Sequence, residues 1–194
     1  MKHSLLFATH NPNKVLEIKK FAPQEYEIKS LTEQGWTTAI EETGKTLEEN
    51  AWIKADTLVK ALNCNCFADD SGLEIDALDG KPGVYSARFA GTTATAEDNI
   101  EKVLRLLEGN TNRKSRFRTV IALYWEGSRY TFEGKVEGHL LEEKKGSGGF
   151  GYDPIFVPTG YDKTFAELSP TIKNQVGHRG KALREMTLFL NELL

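Results

Sequence analysis

Residues 7–14, FATHNPNK, join the apolar run Leu5–Leu6–Phe7 to the amphipathic segment VLEIKKF. An apolar run that feeds a helix through a polar joint is the start of a strand–helix unit, and such units point to an α/β fold. The pattern predicts a strand over residues 4–9 and a helix over 12–22. Asn11 suits the N-cap, and Pro12 suits the first helical position, where a missing N–H is no loss. A helix that starts this way presents unpaired amides and a positive dipole end, which favour phosphate. Asn13 adds a polar group and Lys14 a mobile cation. The same residues also fit an ordinary capped turn. The P-loop pattern G-x-x-x-x-G-K-[ST] does not occur in the chain.

The alternation continues outward from this unit. A weak strand is expected over 26–30 and a helix over 46–62, with Leu47, Ala51, Ala55, Leu58, Val59 and Leu62 on one face. Thr46 and Glu49 fit a capping box. A strand over 65–69 precedes a loop rich in Asp and Gly that runs to about residue 95. A helix over 96–108, capped by Thr95, should end at Gly109 with Ile100, Val103, Leu104 and Leu107 inward. Residues 116–125 and 129–138 form a hairpin pattern around Glu126–Gly127. Ser169–Pro170 opens a further helix. A last helix over 179–193 should bury Leu183, Met186, Phe189, Leu190 and Leu193. Strands alternating with helices, plus an antiparallel insert, indicate an α/β protein with a mixed sheet.

Composition narrows the class. The 194 residues fit one domain, with room for two lobes and a sizeable core. With 25 basic and 28 acidic residues the net charge is -3, so no global basic field draws the chain to nucleic acid or anionic lipid. No apolar run approaches the roughly 20 residues that span a bilayer. The N-terminal apolar segment is too short for a signal peptide, so a cytoplasmic protein is expected. Cys64 and Cys66 are expected to be reduced and not bridged to each other.

Four further stretches carry chemistry. In ADDSG (68–72), Asp69 and Asp70 end a strand, where ligands bind in open α/β sheets. Adjacent side chains diverge there, so one can face a site while the other braces the loop. A carboxylate so placed suits Mg²⁺, and an Asp-rich turn is the plainer alternative. EETG (41–44), with Glu48, Glu49 and Lys54 behind it, fits a solvated face as well as it fits a metal ligand with a phosphate contact. GSGGFGYDP (146–154) sets aromatics among glycines: Phe150 or Tyr152 could stack on a flat base, and Asp153 could accept from ring N–H groups. KNQVGHRGKAL (173–183) gathers Lys173, His178, Arg179 and Lys181 at a helix start, where cations oppose the dipole unless something electron-rich binds.

Taken together, these five separated motifs resemble the inosine/xanthosine triphosphate pyrophosphatase family over essentially the whole chain. The resemblance rests on THNPNK, EETGKTLEENAWIKA, ADDSGLEIDALDGKPGVYSARFAG, GSGGFGYDP and HRGKAL, in that order. It implies a long mixed sheet flanked by helices, in two lobes with a cleft between them. It also implies a Mg²⁺-dependent homodimer that converts inosine, deoxyinosine and xanthosine triphosphates to the monophosphate and pyrophosphate. Residue by residue, Thr9, His10, Asn11, Pro12, Asn13 and Lys14 match the triphosphate loop. Glu41 and Asp70 match the metal positions, and Asp70 also matches the general base. Ser71 matches a substrate contact; Lys54 and, more weakly, Arg88 match phosphate contacts. Phe150, Gly151, Tyr152 and Asp153 match the base pocket, and Lys173, His178 and Arg179 the remaining nucleotide contacts. The chain departs from the family at Gly177, where a serine is usual, and at His10 and Pro12, where smaller residues are common.

The chemistry implied is attack on the α-phosphorus by a water that Asp70 activates, with Lys14, Lys54, helix amides and Mg²⁺ neutralising the phosphates. Donors from His178 or Arg179 would favour the keto oxygen at C6 over adenine's amino group. Three rivals stand beside this reading. They are a related pyrophosphatase for modified pyrimidine or methylated nucleotides, a nucleotide-binding regulatory module, and a nucleic-acid patch at RKSRFR (113–118).

Overall fold

The computed structural model describes residues 2–20 and 23–193. Its centre is a six-stranded mixed sheet, order β2-β1-β3-β4-β5-β6, with β1 His3–Phe7, β2 Tyr26–Ser30, β3 Cys66–Ile75, β4 Lys114–Trp125, β5 Ser128–Leu140 and β6 Phe156–Pro158. β1 runs parallel to β2 and β3, while β5 and β6 are antiparallel. β1 shows the apolar run of a strand covered on both faces: Leu5, Leu6 and Phe7 are all buried. Phe7 and Phe67, opposite each other in register, stack at 4.3 Å between ring centroids. The helices are α1 Pro12–Ile18, α2 Leu47–Leu62, α3 Ala96–Leu106, α4 Pro170–Val176 and α5 His178–Glu192.

Several expectations hold in detail. Asn11 caps α1 ahead of Pro12, with Asn11 Oδ1 accepting from the Asn13 N–H at 2.9 Å. Thr95 and Asp98 form a reciprocal capping box on α3. Glu126 and Gly127 both take positive φ, the turn that suits a two-residue hairpin. Cys64 and Cys66 are free thiols.

Others need correction. α1 ends at Ile18, short of residue 22; Phe21 and Ala22 lie outside the described residues. β3 runs on to Ile75, so DSGLEI (70–75) is strand where a loop was expected. Thr46 does cap α2, but the Glu49 carboxylate accepts from the Lys45 N–H, one residue before a capping box would place it. Leu62 and Leu193 are exposed, the first being the last residue of α2 and the second lying one residue past the end of α5.

The chain divides into two compact units. The first comprises Met1–Asp70, Thr119–Gly134 and Gly180–Leu194; the second comprises Ser71–Arg118 and Lys135–Arg179. Each has its own core. Leu5, Phe7, Phe67, Ile121, Trp125 and Met186 pack in the first, and Leu73, Ile100, Val103, Phe117, Phe156 and Phe165 in the second. β3, β4 and β5 pass from one unit to the other, so Asp70 ends the first and Ser71 begins the second.

Candidate active site

The first unit gathers its polar groups around the middle of β3. Asp69 and Asp70 diverge, as adjacent strand residues do. Asp69 (2 % exposed) accepts from Lys14 Nζ at 2.8 Å and so pins the lysine that follows the Asn11 cap. Asp70 (7 % exposed) accepts from Asn50 Nδ2 at 3.2 Å and lies 3.7 Å from Lys54 Nζ. Lys54 donates to Glu42 Oε1 at 2.5 Å and to the Asp69 carbonyl at 2.7 Å. Helical spacing explains why α2 can do this. Asn50 and Lys54 lie one turn apart on the same stripe as Leu47, Ala51, Ala55 and Leu58, all of them buried.

The electrostatics of the two partners differ. Burial pulls Lys54 down, yet the carboxylates of Asp70, Glu42 and Asp69 outweigh it and hold the ammonium above its ordinary value. Burial raises the Asp70 carboxyl. Lys54 opposes that rise and the Glu42 charge adds to it, leaving the group above the ordinary carboxylate range. A carboxyl raised in this way is a better proton acceptor near neutrality than an exposed one.

The rest of the N-terminal loop is locally built. Thr9 Oγ1 accepts from the Asn11 N–H at 3.1 Å. His10 is exposed, with Nδ1 3.3 Å from Thr32 Oγ1, and Pro12 and Asn13 are also exposed. Glu41 is exposed, whereas its neighbour Glu42 is half-buried against Lys54.

The second unit builds a different cluster. Asp153 (3 % exposed) accepts on one oxygen, Oδ2, from the Phe150 N–H at 2.8 Å and from Lys173 Nζ at 2.5 Å. Gly149 makes this loop possible: it sits at φ +72°, and a Cβ there would stand 2.0 Å from Asp153 Oδ2. The half-buried Phe150 ring has the Lys173 ammonium 4.5 Å and the Arg179 guanidinium 5.5 Å from its centroid. Arg179 Nη2 donates to Ser71 Oγ at 3.2 Å. His178 stacks on Phe117, centroids 4.7 Å apart and planes at 12°. Tyr152 is buried in the core, where its hydroxyl donates to the Ser86 carbonyl at 2.8 Å. Phe150 is therefore the less enclosed of the two aromatics. Gly151 joins them at positive φ, and Arg88 lies with its guanidinium 5.4 Å from the Tyr85 ring.

Residue-type reasoning missed Asn50 and Glu42. The signal for Asn50 was present: an amide at position 50 falls on the apolar period of 47, 51 and 58. The basic run 113–118 is occupied by other partners. Arg113 donates to backbone carbonyls of Leu107 and Leu140, Arg116 meets Glu74, Asp76 and Glu137, and Arg118 meets Glu74.

Comparison with known proteins adds five findings. A family model described as the Ham1 family matches residues 5–189. A dITP/XTP pyrophosphatase of Christiangramia forsetii is 50 % identical over 188 residues, covering 97 % of this chain and 99 % of its own. One of the same name from Bacillus subtilis is 50 % identical over 194 residues, covering 98 % of each. The fold matches the Staphylococcus aureus Ham1 protein at TM-score 0.90 and 41 % identity, covering 98 % of this chain and 100 % of that one. A HAM1 protein from Coxiella burnetii matches at TM-score 0.91 and 39 % identity, with 98 % and 99 % coverage.

Proposed function

This chain belongs to the Ham1 family, and on that premise we propose that it converts dITP, ITP and XTP to the monophosphate and pyrophosphate, clearing noncanonical purines from the nucleotide pool. It is a nucleoside triphosphate pyrophosphatase, as its half-identical relatives are named. What carries the finer reading is the buried Asp70, held beside Lys54 and an asparagine amide in the first unit, with its neighbour Asp69 bound to Lys14.

The assignment of roles follows from that cluster. The phosphates fall to the Thr9–Lys14 loop and to Lys54, whose ammonium groups match the charge of a triphosphate. Asp70 takes the proton of the attacking water, and the α-phosphorus receives that water as pyrophosphate departs. The purine falls to Phe150, Gly151, Asp153, Lys173, His178 and Arg179, with Ser71 and Arg88 as further substrate contacts. Phe150 provides the stacking face, while Tyr152, buried behind it, shapes the loop. Donors from the His178–Arg179 pair reward a C6 keto oxygen and meet an amino group badly.

The residues present fit Mg²⁺. That ion uses oxygen ligands, and commonly only one or two carboxylates together with substrate phosphates and waters. Among the described residues no group of three or more His, Cys, Asp or Glu forms an all-protein cage. The first unit does hold carboxylates in excess of lysines, the donor chemistry the ion requires. Glu41 and Asp70 would hold it. Bound there, Mg²⁺ would supply positive charge to the phosphates and acidify a water. The enzyme is further proposed to act as a homodimer in the cytoplasm; no helix of the described residues is long and apolar enough to cross a membrane.

A pyrophosphate-release assay tests the reading. Turnover of ITP, dITP and XTP should exceed that of ATP, GTP and dTTP by about 100-fold or more in kcat/KM, and Mg²⁺ should be required. A preference for dTTP or UTP would replace this function with that of a pyrimidine-directed enzyme. Binding without hydrolysis would make the protein a sensor.

A further inference from the structure

Asn50 is a polar side chain on the apolar stripe of α2, and it is fully buried (0 % exposed). Both ends of its amide are engaged. Nδ2 donates to Asp70 Oδ2 at 3.2 Å, and Oδ1 accepts from the Gly44 N–H at 2.8 Å. These partners fix the orientation of the amide. Turned over, its oxygen would face a carboxylate and its NH₂ would face an N–H. Gly44 approaches so closely because it has no side chain; a Cβ there would stand 2.6 Å from Asn50 Oδ1 and 2.7 Å from the Glu49 Cβ. One amide thus ties the loop of Glu41 and Glu42 to the carboxylate on β3.

We propose that Asn50 is a positioning residue for Asp70, holding its carboxylate in one rotamer and coupling that rotamer to the seating of the 41–45 loop through Gly44. The inference rests on the reading of Asp70 as the base. The two carboxylate oxygens are told apart by their neighbours. Lys54 stands 3.7 Å from Oδ1, a charge contact with little directional demand, while Asn50 acts on Oδ2 through a directional bond. Lys54 therefore supplies charge and Asn50 supplies orientation.

Two variants separate the halves of the latch. Asn50→Asp keeps an acceptor for Gly44 but sets a carboxylate oxygen where Asp70 now meets a donor. Gly44→Ala forces the loop off an unchanged Asn50. Asn50→Asp is expected to lower kcat for ITP on the order of 100-fold with KM close to wild type. Gly44→Ala should lower kcat by about 10-fold. The double variant should fall short of the product of the two, because both act on Asp70 through one side chain at position 50. Thermal melts give the folded fraction, to which kcat is normalised. Asp70→Asn is assayed alongside. If Asp70→Asn turns over at the wild-type rate, the base assignment itself fails. If Asp70→Asn is inactive while Asn50→Asp keeps its normalised kcat, or changes KM alone, Asn50 does not position Asp70.

Discussion

Each unit of the chain buries one polar cluster, and the two clusters carry opposite excess charge. In the first, three carboxylates, Glu42, Asp69 and Asp70, meet two ammonium groups, Lys14 and Lys54. In the second, one carboxylate, Asp153, meets Lys173, with Arg179 also over the Phe150 ring. In the proposed function the acid-rich cluster takes a cation from outside, and the cation-rich cluster on an aromatic face takes a flat group bearing oxygens. The difference then teaches that chemistry and recognition lie in separate residues, so each should fail without the other when mutated.

The largest test of that separation is Asp70→Asn. Turnover should drop on the order of 1,000-fold. Stability should not follow it. Because the folded carboxyl titrates above its ordinary value, its ionised form subtracts stability above the folded pKa, and the penalty is absent below the unfolded one. In metal-free buffer at pH 7 the variant should melt at the wild-type temperature or higher. A lower melting temperature with intact kcat would make Asp70 structural.

Lys54→Met should show the reverse sign on stability. Lys54 gains from its three carboxylate neighbours, so its contribution is complete below the unfolded lysine pKa and is lost as pH rises through the still higher folded value. Removal leaves Glu42 and Asp70 facing each other without an ammonium, and should cost about 3 kcal/mol in urea unfolding at pH 7. A change under about 1 kcal/mol would mean that water already screens the cluster.

Smaller effects belong to recognition and to the surface. Phe150→Ala should weaken binding of every purine triphosphate by about 10-fold, read as KM with kcat held. Loss confined to kcat would move Phe150 to the chemistry. Arg116→Gln, in a network of partly exposed carboxylates, should shift stability by less than about 1 kcal/mol and leave kinetics unchanged.

How much of this was legible in the sequence depends on how local each signal is. The Asn11–Pro12 cap and the Glu126–Gly127 turn could be read directly, because both are set by side chains within three residues. The end of β3 could not. DDSG has turn chemistry, but the segment stays extended as a central strand of the sheet, and pairing across the sheet is not written in the segment itself. The aromatic loop was legible as a set of residues and not as roles: only the packed core shows Tyr152 spending its hydroxyl on Ser86 while Phe150 stays half-buried. Asn50 was overlooked because a polar residue inside an apolar stripe is discounted unless its partners, here six residues back in Gly44 and on a strand twenty residues on in Asp70, are known.

The division of labour is tested most directly by kcat and kcat/KM for ITP and ATP in the wild type, Arg179→Met and Asp70→Asn, measured in one pyrophosphate-release assay. Arg179→Met should narrow the ITP-to-ATP preference by about 10-fold or more while keeping kcat on ITP within a few-fold, and Asp70→Asn should lose kcat on both. An unchanged preference in Arg179→Met, together with an equal fall in kcat on both nucleotides, would overturn that division.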